Sequence, residues 1–131
     1  MNVALISCSK TKKSYSCEAS EMYSPSVLFS KTYKYCLNKY DEIYILSAKY
    51  GVITPTTQIN TYNLSIKDLD KMKREEWGKS VACFLNDLVC RTLSFYTGAN
   101  YSKIIIPHIK DKKIFFPLSG LGIGQRLKFL S

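Results

Sequence analysis

The chain opens on an unbroken apolar run, Val3-Ala4-Leu5-Ile6, held between Asn2 and Ser7. A short continuous apolar stretch that runs into a Ser/Lys cluster predicts a strand buried on both faces, ending near Cys8. Residues 9 to 24 are polar and show neither helical nor strand period. The stretch "SPSVLFSKTYKYCLNKY" then predicts a helix with Ser24 as N-cap and Pro25 at its first position, placing Val27, Leu28, Tyr35 and Cys36 on one face. "EIYILSAKYGV" predicts the second strand, apolar from Ile43 to Leu46 and turning through Tyr50-Gly51, and residues 54 to 64 predict a loop. From Ser65 onward, Leu69, Met72, Trp77, Val81, Phe84, Leu85, Leu88 and Val89 recur at spacings of three to five. That pattern predicts one long helix with Ser65 as its cap, Asp68 in its first turn, and a bend at Asp70 or Gly78. Beyond Gly98, "YSKIIIPHI" predicts a third strand, "KIFFPL" a fourth, and "SGLGIGQRLKFL" a glycine turn into a terminal helix.

Strands alternating with helices predict a three-layer α/β/α sandwich around a mostly parallel sheet of about four strands. With no internal repeat, low-complexity tract or linker, residues 1–131 are expected to form a single α/β domain. Ligands of such sheets bind beyond the carboxyl ends of the strands, so the residues at the strand exits matter most. Strand one exits into Cys8-Ser9-Lys10, strand two into Ser47-Ala48-Lys49-Tyr50-Gly51, and strand four into Pro117-Leu118-Ser119-Gly120. The third adds His108, the single histidine. Hydroxyls and backbone N–H groups that orient an anion, beside lysines that supply compact charge, suit a phosphate. The turn Gly120-Leu121-Gly122-Ile123-Gly124 lets backbone approach a ligand ahead of a helix N-terminus, although it lacks the lysine of a phosphate-binding Walker loop. A tight turn that seats the last helix explains the same glycines.

Charge adds to this picture. The net charge is +9, with six lysines against Glu18 and Glu21 in residues 1 to 40, and six basic residues against Asp111 in residues 101 to 131. Basic ends around a neutral middle suit a polyanionic partner, nucleotide or nucleic acid; solubility alone also accounts for a lysine excess. Lysine outnumbers arginine, so no Arg fork is assigned to a base edge. The five cysteines include no C-x-x-C pair, which argues against both a disulfide framework and a zinc ribbon. No His, Cys and carboxylate set stands at metal-ligand spacing, so neither metal nor cofactor is expected. Without a basic, apolar leader or a run of membrane-spanning length, a cytoplasmic protein with no membrane partner is expected.

The candidate roles follow from residue type. Lys10, Lys12 and Lys49 would hold phosphate, and Ser9 or Ser47 would position a sugar or water. Tyr23, Tyr50 or Tyr62 would stack on a base, and Asp68 or His108 would handle the proton. Gly51, Ser119, Gly120, Gly122 and Gly124 would bring backbone to the ligand. Each has a structural alternative: a helix cap for Asp68, a packed core residue for any one of ten tyrosines, a lone structural histidine for His108. Cys8 is read as a packing residue, and Trp77 as core.

The motifs "LISCSKTKK", "EMYSPSVLFSKTYKYC", "YILSAKYGVITP" and "PLSGLGIGQRLKFL" resemble those of small uncharacterised bacterial and phage proteins related to the YaaA peroxide-stress group, over nearly the whole chain. The first is also similar, more distantly, to a C-S-x-K-P-Y-S element of archaeosine synthase, which acts on a 7-deazaguanine base in transfer RNA. The resemblance implies a uracil-DNA-glycosylase-like α/β/α fold and chemistry on a nucleobase or nucleotide. It points to Ser9, Lys10, Lys12, Tyr23, Ser47, Lys49, Tyr50 and the glycines. The sequence departs from the synthase element at Lys13, where proline is expected, and no Asp or Asn follows strand one. The expectation is an enzyme that cleaves an N-glycosidic bond or processes a modified base in a nucleotide or nucleic acid. The alternatives are a non-catalytic binding protein for such a ligand and plain DNA binding through the basic ends.

Overall fold

In the first strand, β1 (Asn2–Ser7), alternate residues serve two different cores: Val3 and Leu5 join one apolar cluster, Ala4 and Ile6 another. A strand buried on both faces requires a layer of helix on each side, and the computed structural model, which describes residues 1–131, has that arrangement. Around β1 the sheet contains β3 (Glu42–Ser47), β4 (Gly51–Ile53), β6 (Thr92–Tyr96) and β7 (Lys113–Phe115), in the order β4-β3-β1-β6-β7. Only β4 runs antiparallel to its neighbour. A separate two-stranded ribbon joins β2 (Cys17–Glu18) to β5 (Gln58–Ile59), beside the one-turn helix α1 (Ala19–Met22).

On one face, Phe29 and Cys36 of α2 (Val27–Leu37), with Leu130 just beyond α5 (Ile123–Phe129), pack on Ala4, Ile6, Ile45 and Tyr96. On the other, Val81, Ala82 and Leu85 of α3 (Lys71–Asn86) and Ile105 of α4 (Ala99–Ile105) cover Val3, Leu5, Leu46, Leu93 and Phe95. The chain is thus an α/β sandwich with a mostly parallel, five-stranded sheet.

Several sequence expectations are corrected. The second helix begins at Val27 with Ser26 as cap, its Oγ accepting the Phe29 N–H at 3.2 Å. Ser24 is unavailable because its hydroxyl donates to the Glu21 carbonyl at 2.7 Å. Val27, expected on the buried face, is 61% exposed. Ser65 caps only a single 3-10 turn, Ile66–Asp68, in which the Asp68 carboxylate accepts the Ser65 N–H at 2.8 Å. Leu69 is then extended, and Asp70 starts α3 afresh by accepting the Lys73 N–H. Of the two bends expected, the break falls at Asp70. Gly78 has a different task, since a Cβ there would come within 2.5 Å of the Ile104 carbonyl oxygen and side chain. It lets α3 and α4 approach closely, so helix contact, not curvature, requires the glycine.

The third strand was misplaced. "YSKIIIPHI" is helix, with Tyr101, Ser102 and Ile105 buried at helical spacing, followed by a 3-10 turn through Pro107. The actual strand is "TLSFY", where Leu93 and Phe95 face α3 and α4 while Tyr96 faces α2. Three consecutive β-branched residues favour strand locally, but Ile105 and Ile106 pack with Val81, Ala82 and Leu85 of α3 and Ile104 lies against Gly78; tertiary packing overrides propensity. His108 accordingly leaves the strand rim.

Candidate functional site

β3 and β6 flank β1 on opposite sides, and the connections α2 and α3 cover opposite faces. Where successive connections diverge in this way, a crevice opens beyond the carboxyl ends of the strands. Two adjoining compartments lie there. The inner one, about 220 Å³, is bounded by the exits of β1 and β6, the first turns of α2 and α4, and Leu118 and Arg126. The outer one, about 490 Å³, holds Lys10, Lys12, Lys67, Asn63 and Asp68. Cys8, Ser9 and Tyr101 line both and form their common wall.

Hydrogen bonds pin that wall. Cys8 Sγ lies 3.2 Å from Tyr101 Oη, and the Ser9 hydroxyl donates to the Thr11 carbonyl at 2.7 Å, folding the loop after β1 back on itself. Behind it, Tyr62 Oη sits 2.7 Å from Tyr23 Oη and 2.8 Å from Ser47 Oγ. Burial pushes the Tyr23 phenol up to about 12, partly opposed by its bond to Tyr62. Burial also raises Tyr62 and Tyr101, and the nearby Cys8 thiol pushes each further the same way. All three phenols are therefore neutral at physiological pH and act as hydrogen-bonding groups.

Lys12 Nζ stands 4.6 Å from the centre of the Tyr62 ring and Lys49 Nζ 5.8 Å from it, so one aromatic ring gathers cations from the exits of β1 and β3. Partial burial lowers the Lys12 pKa, while Cys8 acts the other way. The one contact between a basic and an acidic side chain at salt-bridge distance is His108 Nε2 to Glu75 Oε1 at 3.2 Å, so no crevice lysine is paired with a carboxylate.

Of the residues expected from sequence, Ser9, Lys10, Lys12 and Asp68 line the outer compartment. Lys49 lines neither compartment, and its Nζ stands 5.8 Å from the Tyr62 ring centre instead. Ser47, expected to be catalytic, is fully buried, and its Oγ accepts the N–H groups of Lys49 and Tyr50 at 3.2 and 3.1 Å. It shapes the turn and presents nothing to a ligand. Tyr23 is equally buried and cannot stack on a base. Tyr50 packs edge-on against Tyr62 and donates to the Asn60 carbonyl, while Gly51, at φ +73°, makes the turn into β4. Their contribution is to the support of the site.

Ser119 and Gly120 line a third cavity of about 370 Å³, which shares Thr97, Leu118 and Arg126 with the inner compartment but none of the lysines. The three strand exits therefore do not converge on one point. Gly122 caps α5 through its N–H to Gln125 Oε1 at 3.0 Å, and Gly124 is an exposed residue of the same helix. Neither touches the crevice. His108 sits against α3, paired with Glu75, because its segment is helical; it is withdrawn as an acid or base of this site.

Tyr101, Thr97, Asn100 and Arg126 were missed. Thr97 follows directly on β6, and Asn100 and Tyr101 stand in the first turn of α4, where the apolar pattern predicts a strand from Tyr101 onward. Arg126 lies on the terminal helix, whose inward residue no local signal marks.

No three or more His, Cys, Asp or Glu side chains gather as a metal site, and no helix is long and apolar enough to cross a membrane. A family model described as "Family of unknown function (DUF6884)" matches residues 3–131. No curated protein matches the chain.

Proposed function

The chain belongs to this family of unknown function along nearly its whole length, and on the chemistry of its crevice we propose that it handles a phosphate-bearing nucleotide or nucleobase ligand, as an enzyme acting at an N-glycosidic bond. One observation carries the reading: Lys10, Lys12 and Lys67 surround the same cavity as Asp68, and no carboxylate pairs with any of them. Unpaired lysines about one cavity are a standing demand for an anion. A lone carboxylate among them has the chemistry of a general base.

The residues divide the work. Lys10 and Lys12 hold the phosphate, and Ser9 and Asn63 orient the sugar. Asp68 keeps one oxygen on the Ser65 N–H, which fixes the carboxylate and leaves the other oxygen to take a proton from water. The hydroxide oxygen then bonds to C1′ of the sugar as the C1′–N bond breaks, and the base departs with the electron pair and is protonated.

The test is incubation of the protein with nucleotides and with DNA carrying modified bases, followed by mass spectrometry for free base. Turnover is expected, with Lys10→Ala losing binding. Asp68→Asn keeps an acceptor for the cap, so it should lose about 100-fold or more in rate with little change in melting. Release of no base from any of these substrates, together with a melting shift and intact ligand recovered, would select the second reading, a binding protein without turnover. One observation favours that alternative, because the Asp68 carboxylate already serves as a helix cap.

A further inference from the structure

We infer that the inner compartment is the base-reading half of this site: it takes one planar nitrogen heterocycle, hydrogen-bonded by Thr97 and Asn100 against the Arg126 guanidinium, while the phosphate remains among the lysines outside. This rests on the nucleotide reading above and deepens it.

Thr97 Oγ1 is the one buried side-chain polar atom in the chain with no hydrogen-bond partner. Buried hydroxyls are nearly always satisfied, and an orphan carries the full cost of its lost hydration. This orphan belongs to a residue at the exit of β6 that stands between the inner compartment and the third cavity and lines both. A ligand group placed there would complete it.

Two further polar groups line the same space. Asn100 makes no side-chain hydrogen bond within the protein, and its Oδ1 lies 2.7 Å from where a Cβ on residue 98 would stand, so glycine at 98 leaves the amide its place. Arg126 donates Nε–H to the Leu121 carbonyl at 2.9 Å, which fixes the plane of the guanidinium and leaves its terminal N–H groups unpartnered. No Asp or Glu lines this compartment.

The wall chemistry favours a base over a second phosphate. Leu28, Phe29 and Leu118 supply apolar surface, which a phosphate gains nothing by touching. A hydroxyl and an amide each donate and accept, as the edge of a heterocycle with ring nitrogens and carbonyls requires, and a planar guanidinium stacks on its face. At about 220 Å³ the space is smaller than pockets that enclose whole ligands, roughly 300 Å³ and upward. The two compartments share Cys8, Ser9 and Tyr101, so a base in the inner one and a phosphate among the lysines of the outer one would place the glycosidic bond at these residues.

The test is calorimetric titration of the wild type, Thr97→Val, Thr97→Ser and Lys10→Ala with the 5′-monophosphates of adenosine, guanosine, cytidine and uridine, and with ribose 5-phosphate as the baseless control. The wild type should bind at least one nucleotide about tenfold more tightly than ribose 5-phosphate. Thr97→Val should bring that nucleotide to the level of the sugar phosphate, whose own affinity stays unchanged, and Thr97→Ser should retain the preference. Thr97→Val should melt at or above the wild-type temperature, since it replaces an unsatisfied hydroxyl by an isosteric methyl, so a loss of preference is not a loss of fold. If nucleotides and ribose 5-phosphate bind alike, or if Thr97→Val keeps the preference, the base-reading role is overturned and the phosphate site stands. Loss of preference in Thr97→Ser as well would assign the effect to the methyl group and also overturn it. If neither nucleotide nor sugar phosphate binds, and Lys10→Ala behaves as the wild type, the nucleotide reading itself falls and this inference with it.

Discussion

Cys8 Sγ and Tyr101 Oη meet at 3.2 Å across 93 positions of sequence, and this contact ties the exit of β1 to the first turn of α4. Tyr101 also packs edge-on against Trp77, whose indole N–H donates to the Ser47 carbonyl at 3.0 Å. The exits of β1, β3 and β6 are therefore braced to one another behind the crevice. Tyr101→Phe keeps the ring and removes the bond to Cys8. It should lower stability by about 1 kcal/mol, measured by urea unfolding.

Tyr62 is the more heavily committed phenol, because Tyr23 and Ser47 both depend on it. Tyr62→Phe strands the buried Tyr23 hydroxyl and leaves Ser47 Oγ with only its two backbone N–H bonds, and should cost roughly 1–3 kcal/mol. In a double-mutant cycle with Ser47→Ala the two losses should fall short of additivity, since either change alone breaks their shared bond. Additive losses would show that the bond carries no stability.

The buried phenols also set an alkaline limit. Tyr23 and Tyr44 are each raised from 10.0 to about 12, burial being the main cause. A phenol whose folded pKa exceeds its unfolded value retains its proton longer in the native state, so its contribution is complete below pH 10 and lost as pH rises toward 12. Stability against urea should fall across that window. Tyr23→Phe should flatten the decline, and an unchanged slope would count against Tyr23 as its source.

Lys12 has the opposite sign. Its pKa is lowered, chiefly by burial, so below the folded value the native state holds its proton less well than the unfolded chain does. Stability should rise as pH climbs through that value. Lys12→Met should therefore melt at or above the wild-type temperature at neutral pH while losing affinity for nucleotide phosphate. A variant that melts lower would show that the ammonium stabilises the fold.

Gly78 tests the closeness of the helix pair. Gly78→Ala sets a methyl against the Ile104 carbonyl oxygen and side chain, an overpacking expected to cost about 1–3 kcal/mol. The double variant Gly78→Ala/Ile104→Val should recover little of that loss, because valine keeps the Cγ2 methyl and the backbone oxygen remains in the way.

Local signals located β1, β3, β7 and the terminal helix, since each has the apolar pattern of its own element. They failed where tertiary contacts decide. The Ile104-Ile105-Ile106 run has strand propensity, but α3 offers it a helical seat at Gly78. "TLSFY" disappeared because Leu88 and Val89 continue the helical spacing beyond Asn86, and Val89 is in fact 90% exposed. The lysine half of the crevice was legible because Lys10 and Lys12 follow directly on a readable strand. The other half was not, because Thr97, Asn100 and Arg126 owe their meeting to the correct place of β6 and α4. Ser47 shows the converse failure: a serine at a strand exit reads as chemistry until its burial beneath Tyr62 is known.

The solitary His108–Glu75 pair, in a chain of net charge +9, has a consequence for behaviour in electrolyte. The folded molecule holds nineteen lysines and arginines against ten carboxylates, with the excess gathered toward the two ends of the sequence, so added salt relieves a repulsion that opposes compactness. The same ions compete with a phosphate for Lys10 and Lys12. Ionic strength should thus move folding and ligand capture in opposite directions, and the protein should be firmest in the brine that leaves its crevice least occupied.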